Sequence, residues 1–531
     1  MFKPLISYLG KTLYSPFLHF NRAASSHIKL PWKPPHIDLY NQKPLPQSTL
    51  LNPQGPTTKK FRNIGLLLLL ITTVLSSFLY AKEDNLLFPT DSKSVVFSPS
   101  EGLQWVKKCI DQYEEIQWLA DINTRKTEEG QAKQEEMYSK QIFDQNYVEF
   151  DRTIMTIKCL KLILDGSDEA YETFVSAQKE DVRLSRESFQ QLHVQGQRLL
   201  ESKWGGLSQL QMAQAMETAL VLGDMGKSKK ARELFKSYGI TDPDHDDFHE
   251  KALQILQTHP EICPSFARLS PSAKTLLIKS ANLAHYGHIT HLEGGVEMFR
   301  KLKESCILCR DPIAFSFDLF IHICDVAGAL GHVNKQSSLV YTKFAHVAMQ
   351  AVKEAIQVLS DPQKTPWDAY NAYLKIRASC LGLNPENKSD RVLTRIGAML
   401  RLFTKEDGLL LKEAILKLET SIHNRVCTQL DLQEQDLDRT PTYMPAVLVN
   451  LSNNPQLGES REERLSKAAI IGLPFIAKVL EKHKELLKKN EIDPDIPLNF
   501  NNIAGITKTS PNLLLNREFY IDKEGGVYLL E

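Results

Sequence analysis

Apolar residues recur every three to four positions along most of the chain from Ser98 onward, the spacing of one face of an α-helix. Ser98-Pro99-Ser100-Glu101 opens the first such stretch as a capping box with proline at the first helical position, and Leu103, Val106, Ile110, Tyr113 and Leu119 form its stripe. Further helices are predicted over about 151–166, 185–203, 208–223, 228–237, 246–258, 272–290, 295–305 and 312–331. Beyond Asn334 the pattern predicts one long helix from Ser338 to Leu359. Thr365-Pro366-Trp367-Asp368 caps another that runs to about Cys380, and three more follow over Arg391 to Phe403, Gly408 to Gln429 and Arg461 to Lys489. The stretch from Lys126 to Gln145, rich in Glu, Gln and Lys, reads as a solvated helix or a connection. Near the end, EFYIDKEGGVYLL alternates around Gly525-Gly526 and predicts a lone β-hairpin. No fixed period recurs, so a solenoid is not supported. The expected fold class is all-α.

One segment breaks the amphipathic pattern. Ile64 to Ala81 reads IGLLLLLITTVLSSFLYA, without a charge and apolar on every face. At about 1.5 Å per residue it is just long enough for a hydrocarbon core of roughly 30 Å. Lys59, Lys60 and Arg62 precede it and Glu83 and Asp84 follow, which predicts a single-pass transmembrane helix with a cytoplasmic N-terminus and the body on the far side. The alternative is a cleavable signal and an exported body. The domain expectation is therefore a basic, proline-rich tail (1–63), the membrane segment (64–81), a linker (82–97), a helical domain (98–335), a C-terminal helical region (336–489) and an irregular tail (490–531).

Charge sharpens this division. The chain carries 64 basic and 64 acidic residues, yet up to Asn63 there are nine Lys or Arg against Asp38 alone. The remainder is mildly acidic, which argues against a nucleic-acid partner, since that needs a basic face. Eight cysteines in 531 residues do not make a disulfide scaffold. Cys109, Cys159, Cys324, Cys380 and Cys427 fall in apolar patterns as small hydrophobes, and the single CxxC of Cys306 and Cys309 is read as packing.

Candidate chemistry concentrates between His193 and Asp325. His193 lies in QLHVQGQRLLES, Asp224 and Lys227 in AMETALVLGDMGKS, His245 and His249 in DHDDFHE. His285, His288 and His291 lie in LAHYGHITHLEGG, and His322 and Asp325 stand one turn apart in FIHICDVAG. His245 and His249 are expected to be exposed. Imidazoles with carboxylates suit divalent Mg, Mn, Fe or Zn, and an ion so held makes a nucleophile of bound water. An acid within an apolar helix, such as Asp224 or Asp325, also needs a partner, and a metal would supply one.

This order of residues resembles the HD superfamily of metal-dependent phosphohydrolases over about 190–335. The local match is ALVLGDMGKS against an apolar helix ending in His-Asp-x-Gly-Lys, with His193 upstream and Asp325 as the closing acid. The resemblance implies an HD-like helical bundle with metal ligands His193, Asp224, His288, His291 and Asp325, and Lys227 as the group facing a substrate phosphate. It implies a membrane-anchored phosphohydrolase acting on a phosphate-containing small molecule. Gly223 stands where the family has the histidine of its doublet. The alternative expectation is accordingly a helical binding or scaffolding protein at a membrane that has lost catalysis.

Overall fold

In a computed structural model the described residues are 99–125, 136–241, 245–281, 283–434 and 439–530. The expected tail, the apolar segment 64–81 and the linker lie outside them. The principal helices are α1 (Pro99–Gln112), α2 (Val148–Asp165), α3 (Arg186–Glu201), α4 (Gln209–Gly223), α5 (Pro312–Gly328), α6 (Lys343–Gln357), α7 (Pro366–Leu381), α8 (Lys388–Met399), α9 (Lys405–Leu416), α10 (Met444–Asn453) and α11 (Arg461–Lys488). The body is all-α apart from one hairpin, β1 (Phe519–Ile521) and β2 (Val527–Leu529), paired antiparallel with Tyr520 opposite Tyr528.

Side-chain caps start these helices. Ser208 accepts from the Gln211 N–H while the Gln211 side chain returns to the Ser208 N–H, a capping box that starts α4. Thr365 and Asp368 start α7 in the same way, with Pro366 at the first position and Gly382 in the left-handed region at its end. Two expected helices divide. The one over 272–290 becomes Pro271–Ser280 and Tyr286–Thr290, and that over 408–429 becomes α9 and Thr420–Leu430. The one expected from Ser338 starts only after Thr342. The helix α10 was not anticipated.

At the centre lies α2, which packs against α3, α4 and α5 and is buried along nearly its whole length. It carries charge into that interior, and every such side chain meets a partner from another segment or turn, as buried charges require. Lys161 Nζ lies 3.4 Å from Glu217 Oε1, and Tyr113 donates to the other oxygen of Glu217. Lys158 Nζ donates to the Lys335 carbonyl at 3.2 Å. Asp151 accepts from the N–H and hydroxyl of Ser139. A second core joins α8, α9, α10 and α11 to the hairpin through Val527. There α9 approaches the end of α7 so closely that a Cβ on Gly408 would sit 2.1 Å from the Leu381 carbonyl oxygen. All the described residues belong to one compact unit.

Among the described residues, no helix is long and apolar enough to cross a membrane. The described body therefore supplies no membrane span of its own, and the segment 64–81, on which the expected transmembrane helix falls, lies outside the described residues. The CxxC expectation is corrected: Cys306 and Cys309 are exposed, not packed.

Candidate functional site

Three of the six residues singled out in the sequence come together. Asp224 ends α4, Lys227 closes the 3-10 turn that follows, and Asp325 lies on α5. They meet Glu149 and Arg152 of α2. Lys227 Nζ stands 2.6 Å from Asp224 Oδ1 and 3.0 Å from Glu149 Oε2, while Arg152 Nη1 lies 2.9 Å from Glu149 Oε2. Gly226 lets the turn close, since a Cβ there would lie 2.8 Å from the His245 carbonyl.

The two aspartates respond oppositely. Burial opposes ionisation of Asp224, but the charges of Lys227 and Arg152, with His245 adding to them, hold its carboxyl well below the usual range. Burial and then the neighbouring Asp224 charge push Asp325 up to about 6, with Arg152 and Lys227 pulling against them. His245, expected to be exposed, is buried beside this group.

The histidines go elsewhere. His193 Nδ1 lies 3.0 Å from the Ile163 carbonyl near the end of α2, and a Cβ on Gly166 would strike its ring. His288 Nδ1 is 3.7 Å from Glu293 Oε2, with its ring 5.3 Å from that of His285. His291 is buried and bonded to the Ala398 backbone; burial, then Arg401 and Arg377, keep it neutral by lowering it well below the usual imidazole range. His322, one turn from Asp325, packs its ring against that of Tyr286 with centroids 4.8 Å apart and the planes tilted by 39°. Among the described residues no group of three or more His, Cys, Asp or Glu side chains could hold a metal ion. The expectation of a metal-binding HD-type hydrolase site is corrected accordingly: the cation between Asp224 and Glu149 is the ammonium of Lys227.

A second feature escaped the sequence. A cleft of about 340 Å³ opens between α5, α6 and the start of α11, within the roughly 300–1,000 Å³ usual for small-molecule sites. Val326, Phe344, Met349 and Leu465 give it apolar walls; Arg401, Arg464 and His322 stand among them. Phe344 stacks on Phe403 at 5.2 Å, and the buried Arg377 guanidinium lies 3.9 Å over the other ring of that pair. Arg461, at the rim, is 2.6 Å from Asp407. Burial lowers Arg401 to about 10, against the pull of Glu293. The lining comes from seven separate stretches of chain, so no local spacing could have shown it.

Fold and cleft together describe an all-α body with a charged interior cluster around Lys227 and a concave, largely apolar cleft beside α5 and α6. The chain belongs to a family of unknown function, DUF6829, whose model matches residues 106–496. No curated protein and no solved structure matches the chain.

Proposed function

We propose that this is a helical binding protein whose site for a small molecule is the cleft between α5, α6 and α11. The observation that carries the reading is the shape and lining of that cleft: concave, about 340 Å³, apolar on its walls and polar at a few convergent positions. The Asp224–Lys227–Glu149–Arg152 cluster then has a structural role. It ties the end of α4 to the central helix, and its carboxylates are already neutralised from within the chain.

Ala345 lines the cleft on α6 and is only half-buried, so an indole there fills the space without displacing core atoms. The full chain should bind an environment-sensitive naphthalene dye saturably, with a rise in fluorescence. Ala345→Trp should weaken that binding at least tenfold with an unchanged far-UV circular dichroism spectrum. Unaltered dye binding by the folded variant would remove the cleft from consideration.

A further inference from the structure

The ligand class follows from the charge of the lining, an inference that rests on the binding role just described. We propose that the cleft takes an amphipathic anion, a carboxylate or phosphate monoester on an apolar body. Arg464 and Arg401 hold the anionic head, and Val326, Phe344 and Met349 cover the body.

The charged lining residues are Lys179, Arg401, Arg461 and Arg464 against Asp181 and Asp407. Asp407 is fully engaged. Its Oδ1 takes Arg461, and its Oδ2 accepts the N–H groups of Phe403 and Thr404 at 3.3 Å each, capping α9. Asp181 is exposed on the surface. The lining itself thus carries a surplus of positive charge at Arg401 and Arg464, with Glu293 the acid beside Arg401.

Arg464 makes that surplus concrete. Its Nη1 donates to the carbonyls of Gly458 and Glu459 at 3.2 and 2.8 Å, neutral acceptors that fix the guanidinium in place, with the exposed Glu462 as the carboxylate within its electrostatic reach. Its Nε is buried and has no hydrogen-bond partner among the described residues. A guanidinium fixed by backbone carbonyls at the wall of an apolar cleft suits a planar or tetrahedral oxyanion.

Arg401 is placed by the end of its helix. It follows α8 with φ at +59°, where its N–H bonds the Ala398 carbonyl and the Leu402 N–H bonds the Gly397 carbonyl, the usual left-handed close of a helix. That turn sets Arg401 in the lining of the cleft. To the same cleft α5 and α6 contribute Val326, Phe344 and Met349, with His322 the polar side chain among them. One anionic end and one apolar end is the complement. The stacked Phe344–Phe403 pair is closed on itself, which favours an aliphatic or compact aromatic body over an intercalating base.

The test uses the full chain and two dyes that share one body. 8-Anilinonaphthalene-1-sulfonate is anionic, and N-phenyl-1-naphthylamine is its uncharged counterpart. The expected result is at least tenfold tighter binding of the anion. Arg464→Gln should reduce the anion's affinity about tenfold, as expected for one charge-assisted contact, and leave the neutral dye's affinity unchanged. Arg401→Asn, in which asparagine tolerates the left-handed backbone, should do the same and covers the case in which Arg464→Gln fails to fold.

Octanoate, octyl phosphate and octanol then compete for the bound anion. Displacement by octanoate alone assigns a carboxylate, by octyl phosphate alone a phosphate, and by both a general oxyanion site; each supports the proposal. Equal affinity for the two dyes, insensitivity to both arginine changes, or equal displacement by octanol would overturn it while leaving the cleft as a binding site. Binding of either dye that Ala345→Trp does not weaken would instead overturn the binding role itself.

Discussion

Replacing Lys227 by Met removes the cation that stands between Asp224 and Glu149 while keeping most of the side chain's volume. All three side chains are largely buried, with 12, 14 and 11% of their surface accessible, so solvent screens the interaction little. Removing one partner of a buried pair costs about 3–5 kcal/mol. Arg152 still holds Glu149 at 2.9 Å, which places the expected loss near the lower end, about 3 kcal/mol. The uncompensated charge is then chiefly that of Asp224, so Asp224→Asn in the same chain should restore most of the loss and give a coupling energy of about 2 kcal/mol. The pH dependence has a defined sign. Asp325 is raised to about 6, so the stability its protonated form confers is present below about pH 4 and lost as pH rises through about 6. Without Lys227 that carboxyl rises further, and the deficit of Lys227→Met grows between pH 5 and pH 7. Urea unfolding followed by circular dichroism at both pH values, with the two single variants and the double, measures every term. An unchanged midpoint in Lys227→Met, together with a wild-type midpoint that falls on adding a chelator, would show that a metal ion and not this ammonium neutralises the acids.

Three further outcomes are expected. Burial pushes the Asp151 carboxyl up to about 7, against the bonds from Ser139 that favour its charge; the stability of its neutral form is thus lost as pH rises through about 7, and Asp151→Asn should gain on wild type by about 2–4 kcal/mol between pH 4 and pH 8 in parallel urea titrations. Gly166→Ala places a methyl group 2.3 Å from His193 Nδ1 on a backbone at φ +68°, and a drop of about 2–3 kcal/mol is expected in thermal or urea unfolding. Adding His193→Ala should return only the steric part of that loss, whereas full recovery would show that the left-handed backbone carries no strain. Gly408→Ala, aimed at the Leu381 carbonyl 2.1 Å away, should separate α9 from α7 and cost about 2 kcal/mol or more, read as a lowered Tm; a neutral effect would contradict the close helix approach.

The sequence carried what is written locally. Thr365 with Asp368 announced its helix because a cap is a contact between near neighbours. The hairpin at Gly525-Gly526 was legible for the same reason. Asp224, Lys227 and Asp325 were recognised because an acid in an apolar helix demands a partner. The partner was misread, because Glu149 and Arg152 lie on α2, a helix buried on all sides, where periodicity marks no face. His193 shares the helical spacing of a ligand, yet it spends its ring nitrogen on the Ile163 carbonyl, a bond that leaves no trace in spacing. The cleft was invisible, since Arg401, Arg464, Phe344 and His322 are neighbours only after folding. The helix α10 was hidden because Pro445 and the preceding Thr-Pro-Thr read as a turn, while its apolar residues are buried nearly all round.

The most direct test of the binding role is to watch the cleft wall. Met349 lines it, whereas Met155 and Met216 are buried in the central core away from that lining. In protein carrying ¹³C-methyl methionine, with the Met349 resonance assigned by its loss in Met349→Leu, titration with 8-anilinonaphthalene-1-sulfonate should move the Met349 methyl saturably. The resonances of Met155 and Met216 should stay fixed. A Met349 signal that does not move while the dye's fluorescence saturates would contradict the account.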